Sequence, residues 1–167
     1  MRASRAATLL ALCLTALVHT GRASAAAPHS IGKFGQWQAA THKDGDATTC
    51  FAFTWAEAAP QHVPGRGNVV LSVTRRPQSH DVVALSAGFL LSGHEDATLQ
   101  AGTTRMLFYI AGRSAFARDN QAAIATFGHE LSVTAHLHGP RGITTADHFS
   151  LKGFAAALAA MEKACPP

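Results

Sequence analysis

The chain has 167 residues, 47% hydrophobic and 14% charged, with 14 lysines and arginines against 10 acidic residues. Arg2, Arg5 and Arg22 lie in a leader-like N-terminus, so beyond it 11 basic residues face the same 10 acidic ones and the net charge falls from +4 to +1. Such near neutrality excludes the many phosphate contacts on which nucleic-acid binding depends.

Met1 to Arg5 is a cationic start and Ala6 to Val18 an apolar run, the pattern of a signal peptide. Ala23 and Ala25 stand at the minus-three and minus-one positions of a cleavage site, which predicts removal of residues 1–25 and export of the remainder. The apolar run is shorter than the about 20 residues a bilayer crossing needs. No later segment is longer, and Cys13 follows Leu12 rather than a small residue, so neither a membrane span nor an acyl anchor is expected. Any association with the envelope is then peripheral. The leader alone does not choose between periplasm, outer membrane and release from the cell.

Residues 26–33 carry little apolar periodicity and read as a flexible arm, with one domain over 34–167. Phe34 to Ala39 is the first predicted strand. Thr48 to Trp55 is the second, alternating Phe51, Phe53 and Trp55 with Cys50, Ala52 and Thr54, and the aromatic set is expected in the core. Asp44-Gly45 between them predicts a hairpin turn. Ala56 to Asn68, with Pro60, Pro64, Gly65 and Gly67, is a long loop.

Val69 to Thr74 and Asp81 to Phe89 read as further strands, and Thr98-Leu99 with Arg105 to Ile110 as a second hairpin. Asp119 is placed to cap a short helix running to Phe127. Glu130 to Leu137 returns to strand periodicity, followed by alternation of Thr145, Asp147 and Phe149 with Thr144, Ala146 and His148. Ser150 is the expected N-cap of a final helix whose Leu151, Phe154, Leu158 and Met161 share one face. The predicted architecture is mostly β, a β-sandwich or barrel-like single domain with a C-terminal α-helix packed on the sheet.

Cys50 and Cys165 are the cysteines left beyond the leader, and an even pair in an oxidising compartment is expected to join. Such a bridge closes most of the chain into one loop, worth about 4–5 kcal/mol in the chain-entropy treatment. The alternative is two reactive thiols. It finds no Cys-x-x-Cys motif and no histidine beside Cys50 to lower its pKa.

Histidine is abundant, with 10 in the chain. His136 and His138 share a strand face two residues apart, a spacing that lets two imidazoles reach one metal ion, with Asp147 or His148 from the next strand as further ligands. The competing reading is a solvent-facing pair on a half-buried strand, since a closed site needs three or four ligands. Asp147, His148 and Ser150 do not make a hydrolase, because adjacent strand residues point to opposite faces and no nucleophile is paired with a base. No catalytic residue and no cofactor is expected. Arg141, Thr144, Thr145 and Asp147 form the remaining polar cluster. Gly142 supplies a turn across which Arg141 can pair with Asp147, or the same fork and hydroxyls can receive a carboxylate or a protein partner.

Phe34-Gly35-x-Trp37, Cys50-Phe51, Val73 to Pro77, Ala87-Gly88-Phe89 and the closing Arg141-Gly142-x-Thr144-Thr145-x-Asp147-x-Phe149-Ser150-Leu151, then Gly153-Phe154 and Cys165-Pro166, follow one another in an order that resembles the invasion-associated locus B family. The resemblance spans nearly all of 34–167. It implies an exported protein of the proteobacterial periplasm or envelope, linked in pathogenic members to host-cell entry, with no established catalytic residues. The function expected is a non-enzymatic module that binds another protein or a surface, the partner itself being unnamed by the sequence; the alternative is a periplasmic protein binding a metal or small ligand through its histidines. The histidine load and His94-Glu95-Asp96 depart from the family pattern.

Overall fold

The structure is a computed structural model and describes residues 27–57, 63–93 and 95–166. The expected leader lies outside the described residues. Among the described residues ten strands follow in chain order: β1 (His29–Phe34), β2 (Trp37–Asp44), β3 (Ala47–Trp55), β4 (Val70–Arg75), β5 (Val82–Ser86), β6 (Ala97–Ala101), β7 (Thr104–Ala111), β8 (Ser114–Ala117), β9 (Ser132–His138) and β10 (Thr144–Ser150). Helix α1 (Asn120–His129) joins β8 to β9, and α2 (Phe154–Ala164) follows β10.

All strands belong to one antiparallel sheet in the order β1-β2-β3-β4-β5-β8-β7-β6-β9-β10. The sheet is mostly β as expected, but it is continuous rather than split into two, and it curls without closing. Strand β10 and the residues after it meet the other side of the sheet through single bonds, not a ladder: Glu57, just past β3, donates its N–H to His148 O at 2.8 Å, and Gln36, in the β1–β2 turn, donates to Lys152 O at 3.1 Å.

The inner face carries the core. Trp37, Leu71, Val83, Leu85, Leu99, Phe108 and Phe149 are each fully buried there, and each contributes about 1.5–3 kcal/mol by leaving water. Helix α2 lies against β1, β2 and β3 and buries Phe154, Ala157 and Met161. Phe154 meets Trp37 edge-on at 4.8 Å and Phe127 of α1 at 5.6 Å. Leu158, expected on the same face, is only half-buried. Cys165 just past α2 is joined to Cys50 on β3, 115 positions away, as expected for the pair.

Several local expectations hold. Asp119 accepts from Ala122 N at 2.9 Å and caps α1. Gly45 turns β2 into β3 at φ 60°. Others are corrected. Residues 29–33, assigned by sequence to the flexible arm, form β1 together with Phe34, because Gly35-Gln36 turn the chain back and Phe34 and Ile31 become half-buried against the domain. The same turn divides the expected strand Phe34 to Ala39.

Ser150 ends β10 and does not cap α2; Gly153 does, at φ 95°. The reason lies across the fold, where a side chain at 153 would collide with Phe34 O and one at Gly35 would come within 2.6 Å of Lys152 O. Two glycines let the start of α2 cross the β1–β2 turn backbone to backbone.

The alternation of β3 is found with its faces exchanged. Cys50, Ala52 and Thr54 point inward and are buried, while Phe51 and Phe53 are half-buried outside and Trp55 is 43% exposed. Inside, Cys50 has to reach Cys165 and Ala52 has to leave room for α2. Bulky aromatics do not fit that wall.

Candidate functional site

Thr145 and Asp147 of the polar cluster alternate inward on β10, where Asp147 is fully buried. Its partner is not Arg141 but Arg66, which sequence reasoning did not single out. Arg66 Nη1 and Nη2 donate to the two carboxylate oxygens at 2.8 and 2.7 Å, and the side chains are 7% and 0% exposed. Thr145 Oγ1 adds a third bond to Asp147 at 2.9 Å. The guanidinium also donates from Nε to Ala87 O at 2.9 Å and lies 4.5 Å over the Phe89 ring. With both carboxylate oxygens and all three guanidinium nitrogens engaged and both side chains buried, this cluster is a lock that serves the fold. A lone arginine in the Pro64-Gly65-Arg66-Gly67 loop was the only signal, and loop residues carry no periodicity that names a distant partner.

The lock ties four loops together at one end of the curled sheet. Gly67 N–H donates to Gly88 O at 2.9 Å, Ala87 N–H to Arg113 O at 2.9 Å, Leu91 N–H to Gly112 O at 3.0 Å and Ser92 N–H to His138 O at 2.9 Å. Arg113 donates from its guanidinium to Gly88 O, and Ser92 Oγ to Gly139 O at 2.6 Å. Gly139 lies so close to Phe89 that a Cβ there would meet the ring at 2.9 Å.

Arg141 and Thr144 remain outside this lock, both exposed. Ile143 N–H bonds back to Pro140 O at 3.3 Å, and Arg141 takes φ 58° and ψ 32° with Gly142 at φ 74°. Two successive left-handed residues make a primed hairpin turn, in which glycine or asparagine is the usual choice. The four candidate residues are therefore divided: Thr145 and Asp147 support the fold, while Arg141 and Thr144 face solvent.

His136 and His138 sit on the exposed face of β9, and His148 on the exposed face of β10. His148 faces Thr134 across the ladder and its Nδ1 pairs with Thr134 Oγ1 at 2.9 Å. Asp147, offered by sequence as a further ligand, is turned to the other side and committed to Arg66. Among the described residues no three His, Cys, Asp or Glu side chains are grouped to hold a metal.

On the outer face of β3, Phe51 and Phe53 are 5.7 Å apart and Phe53 and Trp55 5.0 Å apart, an aromatic ladder half-buried at Phe51 and Phe53 and exposed at Trp55. A separate groove of about 740 Å³ lies between the β4–β5 turn, the start of α1 and Pro166. Two of its three arginines, Arg75 and Arg118, are already matched by carboxylates. Arg75 is paired with Asp81 at 2.7 Å and Glu162 at 3.3 Å, its pKa raised chiefly by the Asp81 hydrogen bond. Arg118 is paired with Asp96 at 2.7 Å.

The architecture defines a class: a curled antiparallel β-protein whose closing helix is clamped by a disulfide and whose one end is locked by a buried Arg–Asp pair. The chain is similar to the crystal structure of invasion associated protein B from Bartonella henselae, with a TM-score of 0.58 and 16% identity, over 80% of this chain and 96% of that chain. At that identity the likeness shows the fold, and the resemblance read from the sequence motifs has its counterpart there. No protein-family model matches the chain, and comparison with curated proteins gives no match. No helix among the described residues is long and apolar enough to cross a membrane.

Proposed function

We propose that the chain is an exported envelope protein of the invasion-associated locus B kind, acting without catalysis as a module that binds another protein or a surface. The leader pattern of residues 1–25 supports export. The Cys50–Cys165 bridge suits the oxidising compartment reached by export. The observation that carries the binding role is the aromatic ladder of Phe51, Phe53 and Trp55. The row is partly exposed, most so at Trp55, and apolar surface gathered on an outer face marks sites of contact. Tryptophan, here Trp55, is also among the residues that dominate binding energy.

Two measurements test this. N-terminal sequencing of the protein recovered after export is expected to begin at Ala26, and an uncleaved or cytoplasmic product contradicts the export reading. Cross-linking in the periplasm followed by mass spectrometry is expected to recover a partner with the native chain and to lose it with Phe53→Ser plus Trp55→Ser. Identical recovery from that folded variant removes the ladder from the function.

A further inference from the structure

The locked end of the sheet presents positive charge around an exposed leucine. Leu90 is 58% exposed, whereas its neighbours Phe89 and Leu91 are each 7% exposed. Those neighbours fix its place: Phe89 packs on Gly139 and Leu91 is bonded to Gly112, so Leu90 lies between the turn bearing Arg113 and the turn bearing Arg141. Arg113 is oriented by its bond to Gly88 O, but a carbonyl does not neutralise a guanidinium. Neither Arg113 nor Arg141 has a carboxylate partner among the described residues. Arg141 is also held in a left-handed conformation that residues with a side chain rarely adopt, and such positions cluster at functional sites.

We propose that this end docks an acidic segment of a partner protein, with carboxylates meeting Arg113 and Arg141 and an apolar side chain covering Leu90. The inference rests on the reading of the chain as a binding module and adds the partner's chemistry. Charge complementarity carries it, since two unmatched guanidinium forks suit bidentate carboxylates. Arginine is among the residues enriched at interface centres, and Leu90 beside the two forks offers apolar surface for a partner side chain to cover. The hydrogen bonds joining the four loops hold the surface ready, which lowers the entropic cost of association. A lipid surface is the poorer fit, because basic lipid-binding clusters run to roughly four to eight cations.

The test uses a labelled peptide alternating Glu and Leu, its Lys-Leu counterpart, and phosphatidylglycerol vesicles, each mixed with the whole exported chain at low salt. The Glu-Leu peptide is expected to bind, to weaken with salt, and to bind about tenfold less tightly to Arg113→Gln plus Arg141→Gln. Leu90→Ser is expected to weaken it as well. Arg141→Gly, which relaxes the turn, is expected to melt at a higher temperature and still lose affinity. Failure of the Glu-Leu peptide to bind, equal binding by the double variant, or tighter binding to vesicles overturns the proposal. Arg76→Gln, which removes an exposed cation from the β4–β5 turn, is expected to leave peptide binding unchanged. If Phe53→Ser plus Trp55→Ser loses the periplasmic partner while the peptide test fails, only the acidic-partner inference falls.

Discussion

Arg66 and Asp147, 81 positions apart, meet in a two-pronged ion pair inside one end of the curled sheet. The pair is embedded, so its worth lies in being complete: burying two charges costs about as much as their attraction returns, but stranding one is expensive. Asp147→Asn is expected to cost about 3–5 kcal/mol in urea unfolding. Arg66→Met combined with Asp147→Leu should recover most of that loss. An Asp147→Asn protein within about 1 kcal/mol of wild type contradicts the burial argument.

The Cys50–Cys165 bridge spans 115 positions, so it restricts the unfolded chain strongly. Cys50→Ala with Cys165→Ala, or reduction with dithiothreitol, is expected to remove about 4 kcal/mol of stability. A reduced protein that melts with the oxidised one shows that the bridge adds nothing.

Gly153 and Gly45 both hold positive φ, at 95° and 60°, but only Gly153 abuts the backbone of another segment. Gly45→Ala should cost about 1 kcal/mol from conformation alone. Gly153→Ala should cost clearly more, about 3 kcal/mol, because the β1–β2 turn must move away from the start of α2. Equal losses at the two positions remove the crossing from the account.

Arg118 donates two hydrogen bonds to Asp96, at 2.7 and 2.8 Å, and these hold the Asp96 carboxyl below the ordinary 3.8. A depressed carboxyl pKa means that the link contributes above the unfolded value and is lost as pH falls through the folded one. Carboxyl NMR titration of Asp96 is expected to give a midpoint below 3.8, returning towards it in Arg118→Gln. An unchanged midpoint in the variant assigns the shift to another group.

Periodicity made most strands, the Asp119 cap and the buried face of α2 legible from sequence, since each depends on neighbours within one or two turns. The inward side of β3 was not legible. Neither of its faces is charged, and alternation gives two faces without saying which one meets α2. Arg66 was hidden for a related reason: an aperiodic loop residue reveals its partner only after folding brings it to β10. Likewise Ser150 has the side chain of a cap, but the contact between Gly153 and Phe34 decides where α2 begins. The local preference loses to a long-range crossing.

The strand order carries a kinetic consequence. Strands β1–β5, β6–β8 and β9–β10 are each built from successive neighbours, so three blocks can form by short loop closures. Two seams then join them, each three residue pairs long: Ala84–Ser86 against Ser114–Phe116, and Thr98–Gln100 against Thr134–His136. Those short ladders connect residues distant in sequence and form only after the blocks exist. Until both seams close, the edges of β5, β6, β8 and β9 are all open to pairing with other chains, and the protein's exposure to aggregation is set by how fast six residue pairs find one another.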